Sequence, residues 1–214
     1  MTGMDDTAFD EALVGAAFAI AGRDGWARVS VAAAAADAGL DLDRARARFS
    51  GRDAILLRFG QLADSAAWVG AASDGTPRDR LFDTLMRRFD ALQAHRDGVR
   101  AILSSLPGQP ALALLLAATT NNSMGDMLEA AGLASTGLRG LLRTKGLTAV
   151  WLYATRAWER DDSPDLSGTM AALDKALAQA EQFGNWLEGA RTSGGPKPFP
   201  DIPGAPPEPD AAAA

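Results

Sequence analysis

Residues 26–53, WARVSVAAAAADAGLDLDRARARFSGRD, decide how the rest of the chain is read. Ser30 is suited to cap a helix, because its hydroxyl can accept a bond from an orphan backbone N–H, and the Ala-rich run 31–38 propagates that helix well. Gly39 supplies a residue able to take a positive φ just past the helix end. Leu40 reads as the apolar plug between two helices, and Asp41 as the cap of a short second one, 42–49. Arg44, Arg46 and Arg48 stand at alternate positions on it, a spacing expected to fan them around its surface and not along one stripe. Ser50-Gly51 ends it, and Asp53 sits at the start of the next helix. The stretch reads as a helix-turn-helix.

Working outward, 7–21 is predicted helical, with Phe9, Leu13, Ala16, Ala17 and Ile20 at i, i+3/i+4 spacing and a break at 22–25. Residues 1–6 read as a frayed arm. Downstream, 52–72 carries Ile55, Leu56, Phe59, Leu62 and Trp68 on one face, long enough to leave a small N-terminal bundle and join a second. Thr76-Pro77-Arg78-Asp79 is a helix start: a capping Thr, Pro at the first helical position and an acid near the positive dipole end. It opens a helix over 77–94. Further helices are expected over 97–106, 110–133, 135–160 and 165–188, the first half of 110–133 being so apolar that burial on all sides is predicted. From 189 to 214 the chain is dense in Pro and Gly with little to bury and reads as a disordered tail. No segment alternates with the period of a strand, so the fold class is all-α.

The order of helix, Gly-Leu turn, short basic helix ending in Phe49 and Ser-Gly-Arg-Asp leading into a long helix resembles the N-terminal domain of TetR-type transcriptional regulators. Ala16-Ala17-Phe18 and Gly25-Trp26 fit that pattern as the first helix and the turn after it. The resemblance implies a helix-turn-helix DNA-binding domain over 7–52 and a helical dimerisation and ligand domain over 53–188. It makes 42–49 the recognition helix and puts Arg52 where the family usually has a phosphate-contacting Lys. Arg44 and Arg46 stand where Thr and Tyr are common. The DNA-contacting set so implied is Ser30, Leu42, Arg44, Arg46, Arg48 and Arg52. Trp158, Asp162-Ser163, Asp165, Thr169 and Leu173-Asp174 are similar to the end of a TetR-like lipid-binding accessory protein of ubiquinone biosynthesis, and to a branch of proteobacterial TetR-type regulators.

Composition narrows the classes further. At 214 residues and 47% hydrophobic, the chain can bury one large domain or two smaller ones. It has no Cys, which removes a disulfide framework. The acidic start MTGMDDTAFDE lacks the basic opening of a signal peptide, and the longest apolar run, 110–120, falls short of the roughly 20 residues a span requires, so a cytoplasmic protein without a membrane span is expected. The net charge of −6 argues against a generic nucleic-acid coat, yet 44–58 holds five arginines against one acid, Asp53.

Catalysis has little support. The one histidine, His95, reads as a helix C-terminal residue near the negative dipole end, and no HExxH, GxSxG, Walker loop or Cys nucleophile is present. Asp161, Asp162 and Asp165 could suggest a cation site, but Ser163 and Asp165 suit helix capping. No cofactor or metal is expected. The arginines of the short helix admit two readings: guanine and phosphate contacts in a major groove, or a solvated face paired with Asp41, Asp43 and Asp53. The family resemblance also implies an apolar effector cavity, for which Met86, Phe89, Met124, Met127, Trp151 and Tyr153 are candidates, with the polar run 119–122 placed to orient a ligand. A homodimer through the last two helices is the expected assembly. The composite expectation is a sequence-specific DNA-binding repressor that releases its operator on binding a small apolar effector; the alternative is a non-DNA-binding lipid- or isoprenoid-binding protein on the same fold.

Overall fold

The structure is a computed structural model that describes residues 4–70 and 74–192, the last ten by their backbone alone. Among the described residues it is built of helices joined by short turns: α1 Asp6–Asp24, α2 Val31–Asp37, α3 Leu42–Arg48, α4 Arg52–Trp68, α5 Pro77–Gln93, α6 Arg96–Ser105, α7 Pro110–Ala130, α8 Gly137–Trp158 and α9 Ser167–Thr192. The expected tail reaches back only to 193 in this respect, since α9 runs to Thr192; residues 193–214 lie outside those described. None of the described helices is long and apolar enough to cross a membrane.

Local chemistry accounts for the boundaries. Ser30 Oγ accepts from Ala33 N, Asp41 Oδ1 accepts from Arg44 N, and Thr76 and Asp79 form a reciprocal capping box. Gly39 has φ 62°, the left-handed geometry that lets the chain turn between α2 and α3. Asp5, expected in a frayed arm, instead caps α1 by accepting from Ala8 N.

A continuous apolar core joins the two ends of the molecule. Phe9, Leu13, Ala17 and Trp26 are buried in the N-terminal bundle, Phe18 packs on Phe59 of α4 at 4.2 Å, and Leu85, Phe89, Met124, Met127 and Trp158 fill the space between the later helices. Each such Phe, Leu or Met contributes about 1.5–3 kcal/mol on burial. α4 belongs to both regions, with Ile55, Leu56 and Phe59 at one end and Ala63 and Ala67 at the other. α1 and α6 cross closely because Gly22 and Gly98 meet there: a Cβ on Gly22 would lie 2.9 Å from Asp97 Cβ, and one on Gly98 would strike the Phe18 carbonyl oxygen.

Two expectations are corrected. In the first half of α7 only Leu112 is buried, and Leu114 is 73% exposed. Its apolar run fronts a cavity on one side and open surface on the other, a situation composition alone cannot distinguish from full burial. His95 is not a helix C-terminal residue. It sits between α5 and α6, its ring 5.6 Å from both Phe18 and Phe59, and burial pushes its pKa down.

Candidate nucleic-acid interface

α3 has three faces. Ala45 and Phe49 are buried and Leu42 is half-buried against the core, so positions 42, 45 and 49 fix the helix to the bundle. Arg44 and Arg48 are four residues apart and share one flank while Arg46 stands on another. The three arginines thus do not share one stripe, but they divide into a pair and a single residue where an even fan was expected. The flank of the pair faces α1. Arg44 donates to the Met4 carbonyl and to Asp6 at 2.6 Å, with its guanidinium 4.3 Å from the Phe9 ring centre. Arg48 donates to both oxygens of Asp10, at 2.7 and 2.9 Å, and reaches Asp6 at 2.7 Å. Arg58 of α4 closes the group, its Nε 2.8 Å from Asp10.

Asp10 is the node of this network and is only 2% exposed. The bond from Arg48 holds its carboxyl below the usual carboxylate range, and the Arg44 bond does the same for Asp6. Reciprocally, Asp10 and then Asp6 raise the pKa of Arg48. The pairing partners are thus on α1, not the neighbouring Asp41 and Asp43. Asp41 caps the helix and Asp43 is exposed in its first turn.

The outward stripe of α3 is Asp43, Arg46, Ala47 and Ser50, all exposed. Arg46 is its one cation. Ser30 is exposed at the start of α2 with its oxygen engaged in the cap. Arg52, at the mouth of α4, contacts the Trp26 carbonyl at 3.4 Å, Gln109 at 3.3 Å and the Trp26 ring face. Arg28, in the turn before α2, is also exposed, and the sequence reading passed over it because it lies outside the basic helix.

A cavity of about 470 Å³ lies between α4, α5, α6, α7 and α8. Of the six sequence-based candidates, Trp151 alone is on its wall. Phe89 stacks on Trp151 from behind at 4.4 Å, Met124 and Met127 are buried in the core, Met86 is half-buried on α5, and Tyr153 is 51% exposed on α8. From the polar run, Thr119, Thr120 and Asn122 reach the wall. Leu56, Phe59, Leu103 and Leu116 supply much of the rest, and Arg88, Asp64 and Ser123 form a polar cluster.

The architecture can be compared with solved structures. A TetR transcriptional regulator from Nitrosomonas europaea superposes with a TM-score of 0.67 at 24% identity, covering 81% of this chain and 98% of that one. The chain has the TetR fold. A TetR-family transcriptional regulator from Streptomyces coelicolor gives a TM-score of 0.55 at 18% identity, with 87% of each chain covered. No family model matches the sequence, and no curated protein matches it significantly. Within the TetR fold, α2 and α3 are the helix-turn-helix. Of the residues shared with the lipid-binding resemblance, Trp158 is buried and donates to Gln93 at the end of α5, and Thr169 ties α9 to the turn after α8 by donating to Asp161 through both N–H and hydroxyl. Ser163 and Asp165 accept from Ser167 N, which makes this acidic turn a helix cap.

Proposed function

We propose that the chain is a dimeric DNA-binding transcriptional regulator of the cytoplasm that works as a repressor released by a small, largely apolar effector. The observation that carries this reading is α3 itself, an outward helix with Arg46 exposed on it, in a fold shared with solved transcriptional regulators. Arg46 would contact base edges or phosphates, and Arg28, Arg52 and the Ser30 hydroxyl proton would engage the backbone. Arg44 and Arg48 set the position of α3 over α1 through Asp6 and Asp10, and Leu42 anchors it from beneath.

Dimerisation is supported by α8. Leu138, Leu141, Leu142, Leu152 and Tyr153 are each more than half exposed. With 3.6 residues per turn these positions fall within about a third of the helix circumference, one face that a second copy would cover. Two recognition helices would then be set about 34 Å apart, one turn of DNA. An effector in the cavity that favours another spacing shifts the population by its differential affinity and so releases DNA.

Fluorescence anisotropy with DNA from upstream of the chain's own gene, at about 50 and 200 mM salt, tests the reading. Preference for that fragment over random DNA is expected, with a salt slope that falls by about one when Arg46 is replaced by Ala. Binding that ignores salt and survives Arg46→Ala would refute the assignment of α3.

A further inference from the structure

The exposed stripe of α3 carries one cation, Arg46, and one anion, Asp43, three residues apart. Asp43 neither caps nor seats the helix. The cap is Asp41, which accepts from Arg44 N, and positions 42, 45 and 49 fix α3 to the core. Arg44 and Arg48 are engaged by Asp6 and Asp10. Asp43 and Arg46, by contrast, have no hydrogen-bond or ion-pair partner, and they do not pair with each other. An unpaired acid on a face that approaches a polyanion weakens binding to every sequence alike, unless a donor on the DNA meets it.

Few such donors exist. A carboxylate only accepts, and phosphates, purine N7, guanine O6 and thymine O4 all repel it. In the major groove it can accept from adenine N6 or cytosine N4 alone. Adenine sets its N7 acceptor beside N6, whereas cytosine has no acceptor of its own beside N4, so cytosine is the better match. Arg46 has the complementary preference, because its planar donors fit guanine O6 and N7 together. Three residues of helix advance about 4.5 Å, close to the rise of about 3.4 Å between base pairs, so the two side chains meet neighbouring pairs. We propose that Asp43 reads a cytosine by accepting from its N4 amino group, next to a guanine read by Arg46. Asp43 then sets specificity twice over, by a charge-assisted bond to the right base and by repulsion from the others. This deepens the DNA-binding reading above and rests on it.

The test is selection from a randomised duplex library by the full-length wild-type protein, Asp43→Ala, Asp43→Asn and Arg46→Ala, with affinities for the winning and for random duplexes measured by anisotropy. The wild-type motif is expected to hold two neighbouring G·C pairs. Asp43→Ala should lose about tenfold of its discrimination at one of them, while its binding to random DNA tightens. Arg46→Ala should relax the other pair. Asp43→Asn should move its pair toward adenine, since an amide reads N6 and N7 together; it also serves as the second variant should the alanine protein not fold by circular dichroism. Asp43 variants that bind all duplexes more tightly by the same factor, with the motif unchanged, overturn the proposal and leave the regulator reading standing. So does a preference lost at a position that is not a G·C pair. A wild-type protein that enriches no sequence overturns the regulator reading and this one with it.

Discussion

Replacing Asp10 by Asn tests whether the α1 carboxylates hold α3 at the expense of its charge. Asp10 takes two bonds from Arg48, at 2.7 and 2.9 Å, and an ion pair with Arg58 at 2.8 Å. Asn keeps the shape and one acceptor, so about two charge-assisted contacts are lost, each worth about 1.5–3 kcal/mol. The full loss is not expected, because the Arg48 and Arg58 side chains are 29% and 30% exposed and Arg48 retains Asp6. A destabilisation of about 2–3 kcal/mol follows, or a fall of about 1 M in the urea midpoint at fixed protein concentration. Because the folded-state pKa of Asp10 is depressed, its contribution is fully present above the unfolded value of about 3.9 and is lost as pH falls through the folded one, so wild type and variant converge in acid. The same substitution frees positive charge on α3, and non-specific DNA binding should tighten with a salt slope steeper by about one phosphate. An unchanged urea midpoint together with an unchanged salt slope would refute the reasoning.

Three further outcomes are expected. Gly98→Ala should cost about 1–3 kcal/mol or more, seen as a lower Tm, because the new methyl strikes the Phe18 carbonyl oxygen at the α1–α6 crossing and a backbone atom cannot move aside cheaply. Leu142→Glu with Leu152→Glu should convert a dimer to a folded monomer in sedimentation experiments, since both side chains are exposed on α8 and neither supports the core. His95 should make the protein less stable as pH falls from about 7 to 5: burial lowers its folded pKa, so the unfolded chain takes up the proton first, and stability present above about 6.5 is lost below it. His95→Phe should flatten that part of the pH profile in urea titrations.

Much of the fold was legible because it rests on local chemistry. Ser30, Asp41 and the Thr76–Asp79 pair act within three residues of themselves, and Gly39 needs only its own φ. Those features located α2, α3 and α5 to within a residue or so. The site was less legible because its partners are distant. Asp6 and Asp10 are spaced by four, as are Arg44 and Arg48, and the complementarity of those two pairs was the available signal. Periodicity says which residues share a face but not which helix that face meets. The cavity shows the same limit: Met and aromatic residues at helical spacing led to Phe89, Met124 and Met127, which are core, whereas nothing in the local pattern singled out Arg88 and Asp64.

The arrangement of charge along α4 gives the two ends of the molecule a common element. Arg58 is held by Asp10 beneath α3, and Asp64, less than two turns further along, is held by Arg88 and Ser123 at the cavity. A ligand in the cavity that disturbs the Arg88–Asp64 pair would alter the load on α4 at that end. Because Phe59 and Ala63 are buried between the two ion pairs, α4 cannot bend there without opening the core and must shift as a unit. Such a shift would pull on Arg58, and through Asp10 on Arg48, the residue that seats α3. Asp64→Asn separates this route from simple occupancy. It leaves the cavity in place but removes the charge that ties α4 to Arg88, so ligand binding should survive while the ligand's effect on DNA affinity falls; a full effect in that variant would show that the coupling runs through other contacts.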